Sequence, residues 1–166
     1  MEYIDIIKKR RSIRRYKKDK IPKEIIEKIV DAARFAPTAR AVEPWEFIVI
    51  TESSTLKKIA EYAEYGKFIA QATACIAVFC KETKYYLEDG CAAVENILIA
   101  ATSLGIGTCW VAGDKKVYCP QISNLLKVPS NYKLIALISM GYPLSDTEFR
   151  LTNRRPLDHI IHWEQF

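Results

Sequence analysis

Residues 85–113 read YYLEDGCAAVENILIAATSLGIGTCWVAG, and this stretch decides the fold. Its first part predicts the longest helix of the chain, Tyr85 to Leu104, closed by Gly105 as a C-terminal cap. The helix is rich in Ala and apolar on more than one side, which makes it central. In a chain this small, part of its surface is expected to lie against a second subunit. The segment that follows, Thr108 to Ala112, reads as a strand.

Working outward, Thr73–Cys80 (TACIAVFC) and Tyr132–Met140 (YKLIALISM) read as strands, and Trp45–Thr51 (WEFIVIT) as a buried one. Pro22 stands at the first turn of a helical pattern in which Ile25, Ile26, Ile29, Val30 and Ala33 share a face. Pro37 and Pro44 bracket a loop, Ser53 or Ser54 caps a helix running to about Tyr62, and a short helix is expected between Val117 and Leu126. With a helix at the N-terminus, the order is helix, helix, strand, helix, strand, long helix, strand, helix, strand, tail. Strands scattered among helices in this way indicate an α+β fold.

No internal repeat or low-complexity linker divides the 166 residues, whose 49% hydrophobic content builds one core, so one domain over 1–166 is expected. Within it, 144–166 reads as a polar tail ending in the apolar residues Ile160, Ile161, Trp163 and Phe166. Such anchors need a surface to cover, and a partner subunit is the economical one. The five cysteines contain no Cys-x-x-Cys pair, and His159 and His162 have no third ligand in view, so neither a disulfide framework nor a metal site is expected. The charged N-terminus lacks the apolar core of a signal peptide, and Cys91–Leu104 is too short to span a bilayer. A cytoplasmic protein with no membrane partner is the expectation.

The net charge of +5 is gathered near the N-terminus, where Arg10, Arg11, Ser12, Ile13 and Arg14 pack three guanidiniums and a hydroxyl into five residues. Lys8, Lys9, Arg15, Lys17, Lys18 and Lys20 extend the run, and Arg154 and Arg155 form a second basic pair near the other end. Guanidinium forks suit a phosphate, but the run alone also fits a solvated face or a nucleic-acid patch. Against nucleic acid, no aromatic series is interleaved with the charges, and Ile4, Ile6, Ile7 and Ile13 tie the run to a core.

Four segments stand in one order: RRSIRRY at 10–16, APTARAVEPWEF at 36–47, GIGTCWVAG at 105–113, and GYP then NRRPL between 141 and 157. In that order and spacing the chain resembles the nitroreductase family of flavin enzymes in its short form. The resemblance implies a mostly antiparallel central sheet flanked by helices, with the long helix at a homodimer interface and two FMN sites built from both chains. Arg10, Arg11, Ser12 and Arg14 match the family's N-terminal flavin-binding motif, with Arg14 directed to the ribityl chain and the N1/C2 side of the ring. Arg154 and Arg155 match the basic residues that close on the same phosphate. Pro37, Thr38 and Ala39 occupy the place of the loop that lies against the partner's flavin. Here the chain departs from the family: Ala41 stands where Asn is common and Glu43 where Gln is. Ala112 and Gly113 match the segment whose backbone approaches N5, Gly113 permitting close approach and a backbone N–H donating to the ring. Lys67 is a further candidate for the N1/C2 side, and Trp110 is expected to pack in the core.

No G-x-G-x-x-G is present, so NADH or NADPH is expected to bind transiently over the flavin. The implied activity is a ping-pong transfer from NAD(P)H to a nitroaromatic, quinone or similar small acceptor, with the flavin rather than a side chain carrying the chemistry. The alternatives are a specialised flavoprotein of the same fold, such as a dehydrogenase or flavin-handling protein, and a small basic nucleic-acid-binding protein.

Overall fold

A computed structural model describes residues 3–145, 149 and 152–166 of the chain. Part of the expected tail, 146–148 and 150–151, lies outside the described residues. Helices α1 (Tyr3–Lys9) and α2 (Lys23–Ala33) precede strand β1 (Trp45–Ile50) and helix α3 (Ser53–Tyr62). Strand β2 (Ala74–Lys81), helix α4 (Tyr86–Ser103), strand β3 (Gly107–Ala112), helix α5 (Cys119–Leu125) and strand β4 (Tyr132–Gly141) complete the main elements. The strands form one sheet in the order β1-β2-β4-β3, every neighbouring pair antiparallel. The fold is α+β, as the pattern of elements indicated.

Strand alternation divides the core between the two faces of the sheet. On one face, Ile76, Val78, Ala136 and Ile138 pack with Ile26 and Ile29 of α2 and with Ala93, Val94, Ile97 and Ala101 of α4. On the other, Cys75, Ala77, Phe79 and Leu137 pack with Leu56 and Ile59 of α3 and Ile122 of α5. Helix α4 is central, and Gly105 follows it at φ 72°, a left-handed position that favours glycine. Cys91, Ala92, Ile99 and Ala100 remain half-buried.

Several local expectations are corrected. β1 is an edge strand whose Glu46 and Val49 are exposed, so it is not buried throughout. Glu52 occupies the cap of α3 without a side-chain hydrogen bond, and Ser53 and Ser54 lie inside the helix instead. Two 3-10 segments, Ala39–Ala41 and Glu64–Gln71, were not foreseen. Of the isoleucines near the basic run, Ile13 is buried, whereas Ile4 and Ile7 on α1 are 59% and 52% exposed. In the tail, Ile160, Ile161, Trp163 and Phe166 are all exposed, and His162 stacks on Phe166.

Candidate functional site

The arginine-bearing segment is fastened to the free edge of β3. Ser12 bridges Thr108 in the parallel sense and the Ile13 amide donates to the Thr108 carbonyl at 2.8 Å. Further along, Tyr16 bridges Pro143, and the Lys17 amide donates to the Tyr142 carbonyl at 2.8 Å. Ile13 and Tyr16 face inward, leaving Ser12, Arg14 and Arg15 facing out. Two glycines form the seat: a Cβ at Gly107 would stand 2.8 Å from Ile13, and one at Gly141 would stand 2.7 Å from Tyr16. The Tyr16 hydroxyl donates to the Ile13 carbonyl and lies 2.6 Å from the Ser139 hydroxyl. Burial holds the Tyr16 phenol far above its ordinary pKa, so this tether stays neutral and intact.

Positive charge from both ends of the chain converges here. Burial lowers the pKa of Arg11, and the charges of Arg154 and Arg10 lower it further. The charge of Arg154 thus reaches the N-terminal cluster. Arg14 donates to the Ser12 carbonyl at 3.3 Å, and its guanidinium lies 5.6 Å from the centre of the Phe68 ring. The Cys109 thiol, raised by burial, is lowered again by Arg14, by a hydrogen bond with Ser12 and by Arg10, which places these three around one buried sulfur. Like charges held together favour an anion between them.

Beside this cluster, Arg14, Tyr65, Phe68, Cys109, Trp110, Val111, Ala112, Lys116 and Tyr118 line a cleft of about 160 Å³ along the β3 edge. The register with β4 decides which backbone groups face it. The Gly113 amide donates to the Ile135 carbonyl at 2.9 Å, so by alternation Thr108, Trp110 and Ala112 turn their amides away from β4. The Gly113 N–H is engaged within the sheet, and a Cβ there would meet the Leu134 carbonyl oxygen at 2.5 Å. Its smallness makes room for the backbone of β4. The outward donor is Ala112, whose carbonyl accepts from the Tyr118 hydroxyl. Trp110 packs half-buried on the α2/α4 core as expected, and it also lines the cleft. Lys67 does not join it: its ammonium donates to the carbonyls of Ala60 and Glu61, both at 3.0 Å, closing the end of α3.

Pro37, Thr38, Ala39 and Ala41 lie elsewhere on the same chain, in a loop fixed by Asp89. The Thr38 hydroxyl donates to Asp89 Oδ2 at 2.9 Å, the Ala39 amide donates to Asp89 Oδ1 at 3.0 Å, and the Glu43 amide donates to Thr38 Oγ1 at 3.0 Å. Arg40, Ala41 and Glu43 have φ of 59°, 54° and 49°. The loop and Asp89 border a second cleft, of about 200 Å³, with Thr83, Lys84 and Tyr85. The expected site residues of one chain thus fall in two separate groups, the arginine segment beside the β3 cleft and the Thr38 loop beside the Asp89 cleft. A further groove of about 640 Å³, beside α2, β1 and the start of α3, contains none of the expected site residues.

The sequence reading missed Asp89, Tyr16, Tyr65 and Phe68. A carboxylate at the apolar start of α4 was the available signal for Asp89, while the aromatic residues show no pattern that separates them from core. Among the described residues no cluster of His, Cys, Asp or Glu fits a metal ion. An FMN group fits what is present: converging cations and the Ser12 hydroxyl for its phosphate, a free strand edge for its ring, and the buried Thr108 hydroxyl, which has no hydrogen-bond partner, beside them.

Comparison with known proteins identifies the family. The nitroreductase family model matches residues 7–78 and 65–142. An Archaeoglobus fulgidus protein with the provisional name NADH dehydrogenase/NAD(P)H nitroreductase is 37% identical, the match covering 99% of each chain. A solved structure of an FMN-dependent nitroreductase from Clostridium difficile is 32% identical with a TM-score of 0.91, over 98% of this chain and 99% of that one. The iodotyrosine deiodinase of Nematostella vectensis is 28% identical over 96% of this chain and 74% of its own length. With its four antiparallel strands, its edge-mounted arginine segment and a family match along most of its length, the chain belongs to the nitroreductase family.

Proposed function

We propose that the protein is a homodimeric FMN-dependent oxidoreductase that takes hydride from NADH or NADPH and passes electrons to a nitroaromatic, quinone or similar small acceptor by a ping-pong mechanism. The observation that carries the reading is the mounting of Arg10, Arg11, Ser12 and Arg14 on the open edge of β3, where the charge of Arg154 reaches Arg11. When bound, FMN supplies the two-electron redox chemistry. Arg10, Arg11, Ser12 and Arg154 hold the phosphate through charge-assisted bonds, with Arg155 on the rim. Arg14 supplies positive charge toward the N1/C2 side, where it favours the negative charge that develops on reduction. The outward Ala112 amide orients the N5 edge for hydride transfer.

In this reading Pro37, Thr38, Ala39 and Ala41 close the site of the partner subunit. The separation of the two groups of site residues within one chain supports that arrangement, as do the half-buried residues of α4, the exposed Ile4 and Ile7, and the exposed Ile160, Ile161, Trp163 and Phe166. Five free cysteines favour a reducing compartment, which is the basis for proposing a cytoplasmic location. No described helix is long and apolar enough to cross a membrane. A second reading, reductive deiodination, rests on the deiodinase relative.

The test is an absorbance spectrum of the purified protein, release and identification of any chromophore, and anaerobic titration with NADH and NADPH. FMN that bleaches with either donor supports the oxidoreductase. FMN that stays oxidised with both removes the NAD(P)H reading, and failure to bind added FMN removes the cofactor assignment.

A further inference from the structure

We infer that Asp89 is a positioning residue for the flavin-facing loop and that it sets which hydrogen-bond polarity Thr38 presents to the ring. The inference rests on the placement of Thr38 proposed above.

Asp89 is 5% exposed near the start of α4, yet it is a carboxylate, and a buried carboxylate needs donors. It takes two from a loop about fifty residues away in the chain, the Thr38 hydroxyl and the Ala39 amide. That loop runs from Thr38 to Glu43 without a glycine, although Arg40, Ala41 and Glu43 are left-handed. Side-chain-bearing residues hold such a conformation only where their surroundings impose it. The carboxylate ties the start of the loop to α4, and the Glu43 amide ties its far end back to Thr38.

The polarity follows from counting. A threonine hydroxyl has one proton and two lone pairs. The proton goes to Asp89 and one lone pair receives the Glu43 amide, so what remains at Thr38 is a single acceptor. With Asp89 in place, Thr38 accepts from a donor on the ring and does not donate to it. Asparagine at this position keeps an oxygen for the Ala39 amide but offers Thr38 an N–H. That frees the threonine proton and reverses the polarity with little change of shape.

The experiment compares wild type, Asp89→Asn, Thr38→Val and the double variant as purified full-length proteins. For each, the FMN dissociation constant, the visible spectrum of bound FMN and its midpoint potential are measured. The expected result for Asp89→Asn is a displaced spectrum and potential, with FMN affinity lowered about tenfold, as for loss of one neutral hydrogen bond to the ring. Thr38→Val is expected to shift the same observables, and adding Asp89→Asn to it is expected to change the potential no further, because the two act through one hydroxyl. A full additional shift in the Thr38→Val background overturns the inference, as do unchanged spectra in both single variants. If Asp89→Asn does not fold, Thr38→Val alone decides: an unaltered potential overturns the inference. If wild type binds no FMN, the functional reading falls and takes this inference with it, a result distinct from binding that ignores both substitutions.

Discussion

The amide of Gly113 is bonded to the carbonyl of Ile135 at 2.9 Å, and this one contact settles which backbone donors of β3 point into the cleft. Odd-numbered residues of the strand pair with β4, while Trp110 and Ala112 turn outward. The glycine lies against a place where β4 slips register against β2: Val78 faces Ala136 and Phe79 faces Leu134, leaving Ile135 bulged between them.

Two neighbouring substitutions therefore have opposite consequences. Gly113→Ala forces a Cβ onto the backbone of Leu134 and Ile135 and is expected to cost about 1–3 kcal/mol in denaturant unfolding, as overpacking does. Ala112→Pro removes an amide that the ladder does not use and is expected to leave stability nearly unchanged, since an edge strand tolerates proline on its open side. Its effect is expected in the spectrum and retention of FMN. If Ala112→Pro unfolds the protein and Gly113→Ala does not, the assignment of inward and outward amides is wrong.

Arg154 and Arg155 are adjacent in sequence, and the charge of Arg154 reaches Arg11. Arg154 adds like charge beside Arg11, so Arg154→Ala relieves repulsion in the FMN-free protein while removing a phosphate contact. The expected outcome is an unchanged or higher thermal midpoint without FMN and about tenfold weaker FMN binding by fluorescence titration. Arg155→Ala is expected to do less to both. Equal losses of affinity from the two substitutions would remove the distinction.

Buried thiols make the fold sensitive to alkali. Burial pushes Cys75 from its ordinary value of 9.0 up to about 12 and likewise raises Cys109. A group whose pKa is raised on folding keeps its full contribution to stability below its unfolded value and loses it as pH rises toward the folded value. Stability is thus expected to fall between about pH 9 and about pH 12, measured by urea unfolding at stepped pH, and Cys75→Ala is expected to flatten that fall. At neutral pH a thiol reagent should reach the half-buried Cys91 and Cys119 before the buried Cys75, Cys80 and Cys109.

The fold was legible because its elements obey local rules. The apolar run before Gly105, the Pro22 start of α2 and the strand composition of Ala74–Lys81 each reflect neighbours in sequence. What sequence could not supply was partnership at a distance. Nothing local says that the hydroxyl of Thr38 is given to Asp89 or that Lys67 turns back onto the carbonyls of α3. Gly113 invited a reading as a contact glycine, and only the register of β3 on β4 shows that its missing side chain makes room for the sheet. Ile4 and Ile7 looked like core by composition, yet α1 has no buried residue within one chain.

The separation of Arg14 from the Thr38 loop makes a prediction about subunits. In the proposed dimer each FMN draws its phosphate contacts from one chain and its loop from the other. A mixed dimer of one Arg14→Ala subunit and one Asp89→Asn subunit, isolated with two affinity tags, then has one site carrying both changes and one carrying neither. Its retained FMN is expected to show the wild-type spectrum. If loop and arginines of the same chain served one flavin, the Arg14→Ala site would be depleted and the remaining FMN would show the Asp89→Asn spectrum. The two arrangements give similar amounts of flavin, so the spectrum rather than the occupancy decides between them.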